Sequence, residues 1–193
     1  MGEVVLDLET KNTFDDIGEY NPRRLDISLV GIYDYQTRQF SSFLENELSK
    51  LWPILEHADR IIGFNLTGFD YEVLNHYYVG DAQKFPTLDI LDVIKQTLGF
   101  RLKLDTVAKA TLNEGKSGHG LMAIDYWRKG ELDKLRKYCL DDVRITRDVY
   151  EFGKKQNYIQ YFDRAGKTKM NIPVDFSLKK NAAREPINLS LAF

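Results

Sequence analysis

At 193 residues, 43% apolar and 29% charged, the chain is long enough for one domain with a sizeable core, and its composition is that of an ordinary globular protein. No apolar run reaches the roughly 18–20 residues of a membrane span, and the N-terminus lacks the basic-then-apolar pattern of a signal peptide. The single cysteine, Cys139, excludes an internal disulfide and a cysteine-rich zinc site. A cytoplasmic protein is therefore expected.

In chain order, the run Val4-Val5-Leu6-Asp7-Leu8 predicts a central strand over 3–9. Residues 27–35 and 38–44 predict a hairpin around Asp34-Tyr35-Gln36-Thr37. A helix is expected over 45–57, a short strand over Arg60-Ile61-Ile62-Gly63, and helices over 70–79, 89–98, 104–111 and 121–128. A long helix follows over 131–155, broken only by Gly153 near its end. Residues 169–176 read as one strand, and 177–193 as a poorly ordered basic tail. This order predicts an α/β fold, a mixed β-sheet flanked by α-helices. The expected division is a domain over 1–160 and a C-terminal extension over 161–193.

The net charge of −2 hides a segregation along the chain. Residues 1–100 carry 8 Lys/Arg against 17 Asp/Glu, whereas 101–137 carry 9 against 5 and 153–193 carry 8 against 3. Three acidic patterns stand out. Asp7 and Glu9 alternate on a strand and so project from one face. Two like charges there repel unless a cation lies between them, and Mg²⁺ or Mn²⁺ favours such oxygens. A lone D-x-E equally fits a strand end emerging into solvent. At about 100° per residue, Leu132, Leu135, Cys139, Val143, Thr146 and Val149 form one arc of the long helix. Asp142 falls within that arc, where a carboxylate needs either a metal or a buried cationic partner. Tyr138 lies one turn earlier on the same face. Asp70 follows Gly68-Phe69 and by itself fits a helix N-cap; Asn65 by itself fits a turn.

Taken together, the D-x-E of Asp7 and Glu9, the N-x-x-x-F-D of Asn65, Phe69 and Asp70, and the Y-x-x-x-D of Tyr138 and Asp142 resemble the DEDD superfamily of 3′→5′ exonucleases, in its tyrosine (DEDDy) branch. The nearest flavour is the proofreading exonuclease domain of family B DNA polymerases, on an RNase H-like fold. Phe64-Asn65, the segment Lys103-Leu104-Asp105-Thr106-Val107-Ala108 and Tyr138-Cys139-Leu140-Asp141-Asp142 share that look. The resemblance spans roughly 3–153. No polymerase domain follows, which implies a free-standing relative or one subunit of a repair complex.

The resemblance implies two divalent metal ions, Mg²⁺ or Mn²⁺, with Asp7 bridging both, Glu9 and Asp142 completing the nucleophile side, and Asp70 holding the second ion. Tyr138 would orient the attacking water, since a phenol titrating near 10 is a poor base at neutral pH. The implied substrate is DNA, single-stranded or frayed at its 3′ end, yielding 5′-mononucleotides. Leu8, Thr10, Asn65 and Phe69 are candidates for contacting the terminal nucleotide, and Lys103, Lys116, Arg101 and Lys109 for meeting phosphates. An RNA-directed enzyme of the RNase D kind and a non-catalytic binding module remain as alternatives, and the basic tail is a candidate for docking a protein partner. Gly115-Lys116-Ser117 lacks the first glycine of a P-loop, His119 lies far from Asp142 in sequence, and His57 and His76 have no metal-ligand spacing.

Overall fold

The computed structural model describes residues 2–115 and 121–177. The central strand forms as expected: β1 (Glu3–Thr10) pairs antiparallel with β2 (Ile27–Asp34), which pairs antiparallel with β3 (Gln39–Leu44). The Asp34 carboxylate closes the turn between β2 and β3 by accepting from the Gln36 amide at 2.7 Å and the Thr37 hydroxyl at 3.1 Å. On the other side of β1 lie β4 (Arg60–Gly63) and β5 (Thr87–Asp89), both parallel. The order β3-β2-β1-β4-β5 makes one mixed five-stranded sheet with β1 at its centre.

Alternation along β1 divides the molecule into two cores. Val4, Leu6 and Leu8 pack with Val30 and Ile32 against Leu48, Leu51 and Leu55 of α2 (Leu48–Glu56) and Tyr71 and Leu74 of α3 (Tyr71–Leu74). A four-residue helix, Phe14–Ile17, precedes α2 in the chain. On the opposite face, Val5 and Ile62 pack against Ile90 and Ile94 of α4 (Ile90–Leu98), Val107 of α5 (Leu104–Leu112), and Val143, Ile145 and Val149 of α6 (Leu132–Gln156). A helix over Leu121–Arg128 precedes α6, and its Ala123 packs on α6 Leu135 and Cys139. Among the described residues no helix is long and apolar enough to cross a membrane.

Four expectations need correction. The helix foreseen over 70–79 stops at Leu74, because the chain tightens to bonds from His76 to Val73 and from Tyr77 to Leu74, and the Tyr77 and Tyr78 hydroxyls turn away to Glu45 and Glu56. Gly153 does not break α6, which runs to Gln156 and ends on Asn157 in the left-handed region. Gly153 instead makes room for the C-terminal segment: a Cβ there would sit 2.4 Å from the Phe176 ring. The strand foreseen over 169–176 is β7 (Lys169–Pro173), and it pairs with an unforeseen β6 (Tyr158–Phe162). β5 was likewise unforeseen, being three residues long at the sheet edge.

The β6–β7 hairpin spans the expected boundary at 160, and Ile172, Val174 and Phe176 enter the second core. The rest of the tail, residues 178–193, lies outside the described residues. An ion pair anchors the segment before it. The Arg60 guanidinium, 8% exposed, donates to Glu3 at 2.5 and 3.0 Å, to the Tyr150 hydroxyl at 2.8 Å, and to the carbonyls of Phe176 and Ser177 at 2.9 and 3.1 Å. Burial alone would raise the Glu3 pKa, but hydrogen bonds from Tyr150 and Arg60 and the charges of Arg60 and Lys154 hold it below the ordinary value. Its stabilising contribution is therefore present above the unfolded glutamate pKa of about 4.3, and is lost as pH falls through the lowered folded value.

Arg60→Ala leaves the buried Glu3 carboxylate with only Tyr150 and Lys154 as donors and strips the Phe176 and Ser177 carbonyls of the guanidinium, so a loss of about 3–5 kcal/mol is expected in urea denaturation at neutral pH. A loss below about 1 kcal/mol would show that this cluster does not hold the C-terminal segment.

Candidate active site

The acidic residues gather where β1 emerges from the sheet. Asp7 pairs with Gly31 across the β1–β2 ladder, so both face α6. Gly31 decides how close that helix comes: a Cβ there would lie 2.8 Å from the Cys139 sulfur and 3.1 Å from Val143. The inward stripe of α6 is as expected, with Leu135, Cys139, Asp142, Val143, Thr146 and Val149 all buried. Asp142, 3% exposed, and Tyr138 thus sit above the Asp7–Glu9 end of β1. Ligand atoms of Asp7, Glu9 and Cys139 lie within 4.8 Å of one another.

Asp70 comes from a different route. Asn65, in the left-handed region with φ 74°, opens a wide π-type turn over Leu66–Asp70 that leads into α3. The turn brings the buried Asp70 carboxylate to the backbone amide of Leu8 and into the field of Asp7. Burial, then the charges of Asp7 and Asp89, raise its pKa well above the carboxylate range, against hydrogen bonds from its own amide and that of Leu8.

The neighbours respond to the same field. Burial, then Asp142, Glu9 and Asp7, push the Tyr138 phenol upward. Burial, then Asp7, Glu9 and Asp142, push the Cys139 thiol upward, and its sulfur lies 3.7 Å from the Asp7 carbonyl as donor. A buried carboxylate whose pKa is raised by the charge of its neighbour, as Asp70 is by Asp7, meets the electrostatic condition that a divalent cation relieves. The donor set fits a hard cation, since it offers carboxylate oxygens while burial pushes its one thiol toward the protonated form.

Sequence reasoning missed Asp89. This carboxylate, 5% exposed at the end of β5, accepts from the Asn65 amide at 2.8 Å, the Thr67 amide and hydroxyl at 3.1 Å each, and the Leu91 amide at 3.0 Å. It caps α4 and fixes the Asn65–Asp70 turn in one stroke. The available signal was an Asp directly before the apolar run Ile90-Leu91; its reach to Asn65 required β5 beside β4. Cys139 was read as an unpaired cysteine on the inward arc of the long helix, without its place among the acids.

The substrate candidates scatter more widely. The Leu8 side chain is buried in the core on the α2 face, while its backbone amide reaches the site by donating to Asp70. Thr10 is buried and donates to the Asn12 carbonyl at 2.9 Å. The Asn65 carboxamide oxygen accepts from Arg101 at 2.7 Å, which ties Arg101 to the turn. Phe69 is half-buried with its ring edge-on to Phe14, 6.3 Å between centroids. Lys103 is exposed at the start of α5, and Lys109 pairs with Asp105 at 2.6 Å. Lys116 and His119 lie outside the described residues.

Residues 4–152 match the family model of the RNase H superfamily, which covers all four carboxylates and Tyr138. The chain belongs to the RNase H superfamily. As a member of it, the chain is similar in fold to two solved structures that are distant in sequence. One is the family B DNA polymerase from the hyperthermophilic archaeon Pyrobaculum calidifontis, at TM-score 0.58 and 18% identity, covering 79% of this chain and 24% of the polymerase. The other is the RNase D of Trypanosoma brucei, at TM-score 0.57 and 15% identity, covering 78% of this chain and 56% of that one. The RNase H superfamily chain thus spans about a quarter and just over half of their lengths. No curated protein matches it in sequence. The two structures agree with the resemblance drawn from the motifs, and the mixed sheet flanked by helices is the RNase H-like fold.

Asp89→Ala removes a helix cap and the acceptor for the Asn65–Thr67 amides. A stability loss of about 2–4 kcal/mol is expected by chemical denaturation. An unchanged midpoint would show that the turn holds itself.

Proposed function

We propose that this chain is a metal-dependent 3′→5′ exonuclease that shortens DNA at single-stranded or frayed 3′ ends and releases 5′-mononucleotides. The observation that carries the reading is the convergence of Asp7, Glu9, Asp70 and Asp142 with Tyr138 at one end of the sheet, from three separated segments of an RNase H superfamily chain. The four carboxylates would hold two divalent cations, Mg²⁺ or Mn²⁺. Bound there, such ions supply Lewis acidity toward a phosphodiester and a water that ionises near neutral pH.

The chain's own residues do the rest. Burial and the surrounding acids keep the Tyr138 phenol protonated at neutral pH, so it donates a hydrogen bond to the attacking water and takes no proton from it. Asp89 and Arg101 hold the Asn65–Asp70 turn, which fixes where the Asp70 carboxylate points. Phe69 and the Leu8–Thr10 backbone would meet the terminal nucleotide, with Lys103 along the departing strand. In the same reading residues 1–160 form the nuclease domain, and the 161–193 extension offers a basic tail for a protein partner.

RNA is the alternative substrate, favoured by a likeness to Trypanosoma brucei RNase D equal to that with the polymerase. Matched 5′-labelled single-stranded DNA and RNA oligonucleotides, incubated with Mn²⁺, Mg²⁺ or EDTA, decide the matter. A metal-dependent ladder shortening from the 3′ end is expected, faster on DNA; a faster RNA ladder would replace the substrate, and no ladder on either would leave a binding module.

Asp7→Ala or Asp142→Ala is expected to slow turnover at least about 10³-fold, roughly 4 kcal/mol of barrier, with the fold intact or slightly stabilised. Retained activity in either variant would remove the assignment. Thermal unfolding offers a check independent of turnover: Mn²⁺ at a hundredfold excess over its Kd should add about 2.7 kcal/mol to wild-type stability and much less to Asp7→Ala. Tyr138→Phe should slow the reaction about 10- to 100-fold while keeping that metal response; an unchanged rate would take the hydroxyl out of the mechanism.

A further inference from the structure

Between β1 and β2 the chain makes an excursion over residues 11–26, starting immediately after the Asp7–Glu9 strand. It is a built loop. Thr13 and Asp16 form a reciprocal capping box, with the Thr13 amide donating to the Asp16 carboxylate at 2.7 Å and the Asp16 amide to the Thr13 hydroxyl at 3.1 Å. Asn21 caps a short turn at Pro22–Arg24. Arg128 donates to Asp16 at 2.7 Å on one flank, and Arg23 to Glu72 on α3 at 2.5 Å on the other.

This loop carries a graded series of rings. Phe69, the residue before Asp70, meets Phe14 edge-on, and both are half-buried against the core. Phe14 in turn stacks with Tyr20 at 4.3 Å between centroids, tilted by 37°. Tyr20 is 80% exposed. A tyrosine placed for packing would sink its ring into the core; this one is held on another aromatic ring and turns its remaining surface to solvent. The guanidinium groups of Arg23 and Arg24 lie close by in sequence, more than half exposed, in ion pairs with Glu72 and Glu19. Pairs this exposed are worth little and can exchange for phosphate.

We propose that Tyr20, backed by Phe14, is a stacking platform for a nucleobase of the single strand whose 3′ end enters the carboxylate cluster past Phe69. The ligand class is an unpaired nucleobase, bound through its π-face and therefore with little sequence preference. The cationic side chains at 23 and 24 match the phosphates on either side of that base. This rests on the nuclease reading for the direction of the strand, but the platform is testable by binding alone.

The test compares wild type, Tyr20→Ala and Tyr20→Trp in two measurements. One is steady-state hydrolysis of a single-stranded DNA oligonucleotide of about 12 nucleotides with Mn²⁺, and its RNA counterpart. The other is fluorescence anisotropy of the same strands carrying a 5′ fluorophore, with EDTA present. Tyr20→Ala should raise KM and the dissociation constant about 5- to 100-fold, with the larger share of the effect in KM rather than kcat, while Tyr20→Trp holds both near wild type. Unchanged KM and affinity in Tyr20→Ala would overturn the platform. So would an equal loss in Tyr20→Trp, since a ring that stacks is not replaced by tyrosine's hydroxyl. If wild type binds the strands but cleaves neither, the nuclease reading fails and anisotropy still decides the platform by the same comparison. If wild type neither binds nor cleaves either strand, both readings fall; if it cleaves without binding in EDTA, an unchanged KM in Tyr20→Ala overturns the platform.

Discussion

A helix comes unusually close to a pair of strands where a side chain is missing, and here the missing side chain is at Gly31. The Cys139 sulfur occupies the place a Cβ would need, and Val143 and Leu140 close around it. The half of the acidic end that α6 supplies follows from that seat. It fixes the depth at which α6 lies on β1 and β2, and so sets Asp142 and Tyr138 over the Asp7–Glu9 edge. The seat also explains why a cysteine stands in the middle of a carboxylate cluster: its burial against the strand leaves a small, neutral side chain as the best filler, with its thiol held protonated by the surrounding acids.

The central strand has charges at both ends, and they are treated in opposite ways. At its start Glu3 is matched by Arg60, with Tyr150 and Lys154 adding bonds, so the pair stabilises the fold and ties down the segment through Ser177. At its end Asp7 and Glu9 stand with Asp70 and Asp142, where burial and like charge raise the pKa of Asp70 and of the Tyr138 phenol. The second arrangement costs stability that the packing elsewhere must offset, which is the usual signature of a site kept for chemistry. Asp89 stands between these cases. It is buried and acidic, yet its four accepted hydrogen bonds serve to hold a turn.

Much of the fold was legible because it rests on local periodicity. The run in β1, the hairpin after it, and the stripe on α6 each declare themselves within a few residues, and Asp142 was recognisable as an acid on an apolar arc. The elements that escaped are those with little local signal. β5 is three residues at an edge, held by pairing with β4. β6 becomes a strand by pairing with β7 and packing Ile159 into the second core. The helix expected beyond Leu74 lost to side-chain bonds from Tyr77 and Tyr78, which reach residues distant in sequence. Arg101, read as free to meet phosphate, bonds Asn65 instead, a contact no spacing rule anticipates.

By itself, then, the sequence determined which side chains share a face: Asp7 with Glu9 on a strand, Tyr138 with Asp142 on a helix. Those relations are properties of the repeat of each element and need no partner. It also determined the order of the three acidic segments, from which the family resemblance came. Only the tertiary structure decided that the segments meet, that Asp89 fixes the turn behind Asp70, that Cys139 sits among the acids, and that Tyr20 faces solvent beside Phe14. The first three are distances between residues far apart in the chain, set by how the cores on the two faces of the sheet pack, and the last depends on the conformation of the 11–26 loop; no periodic pattern encodes them.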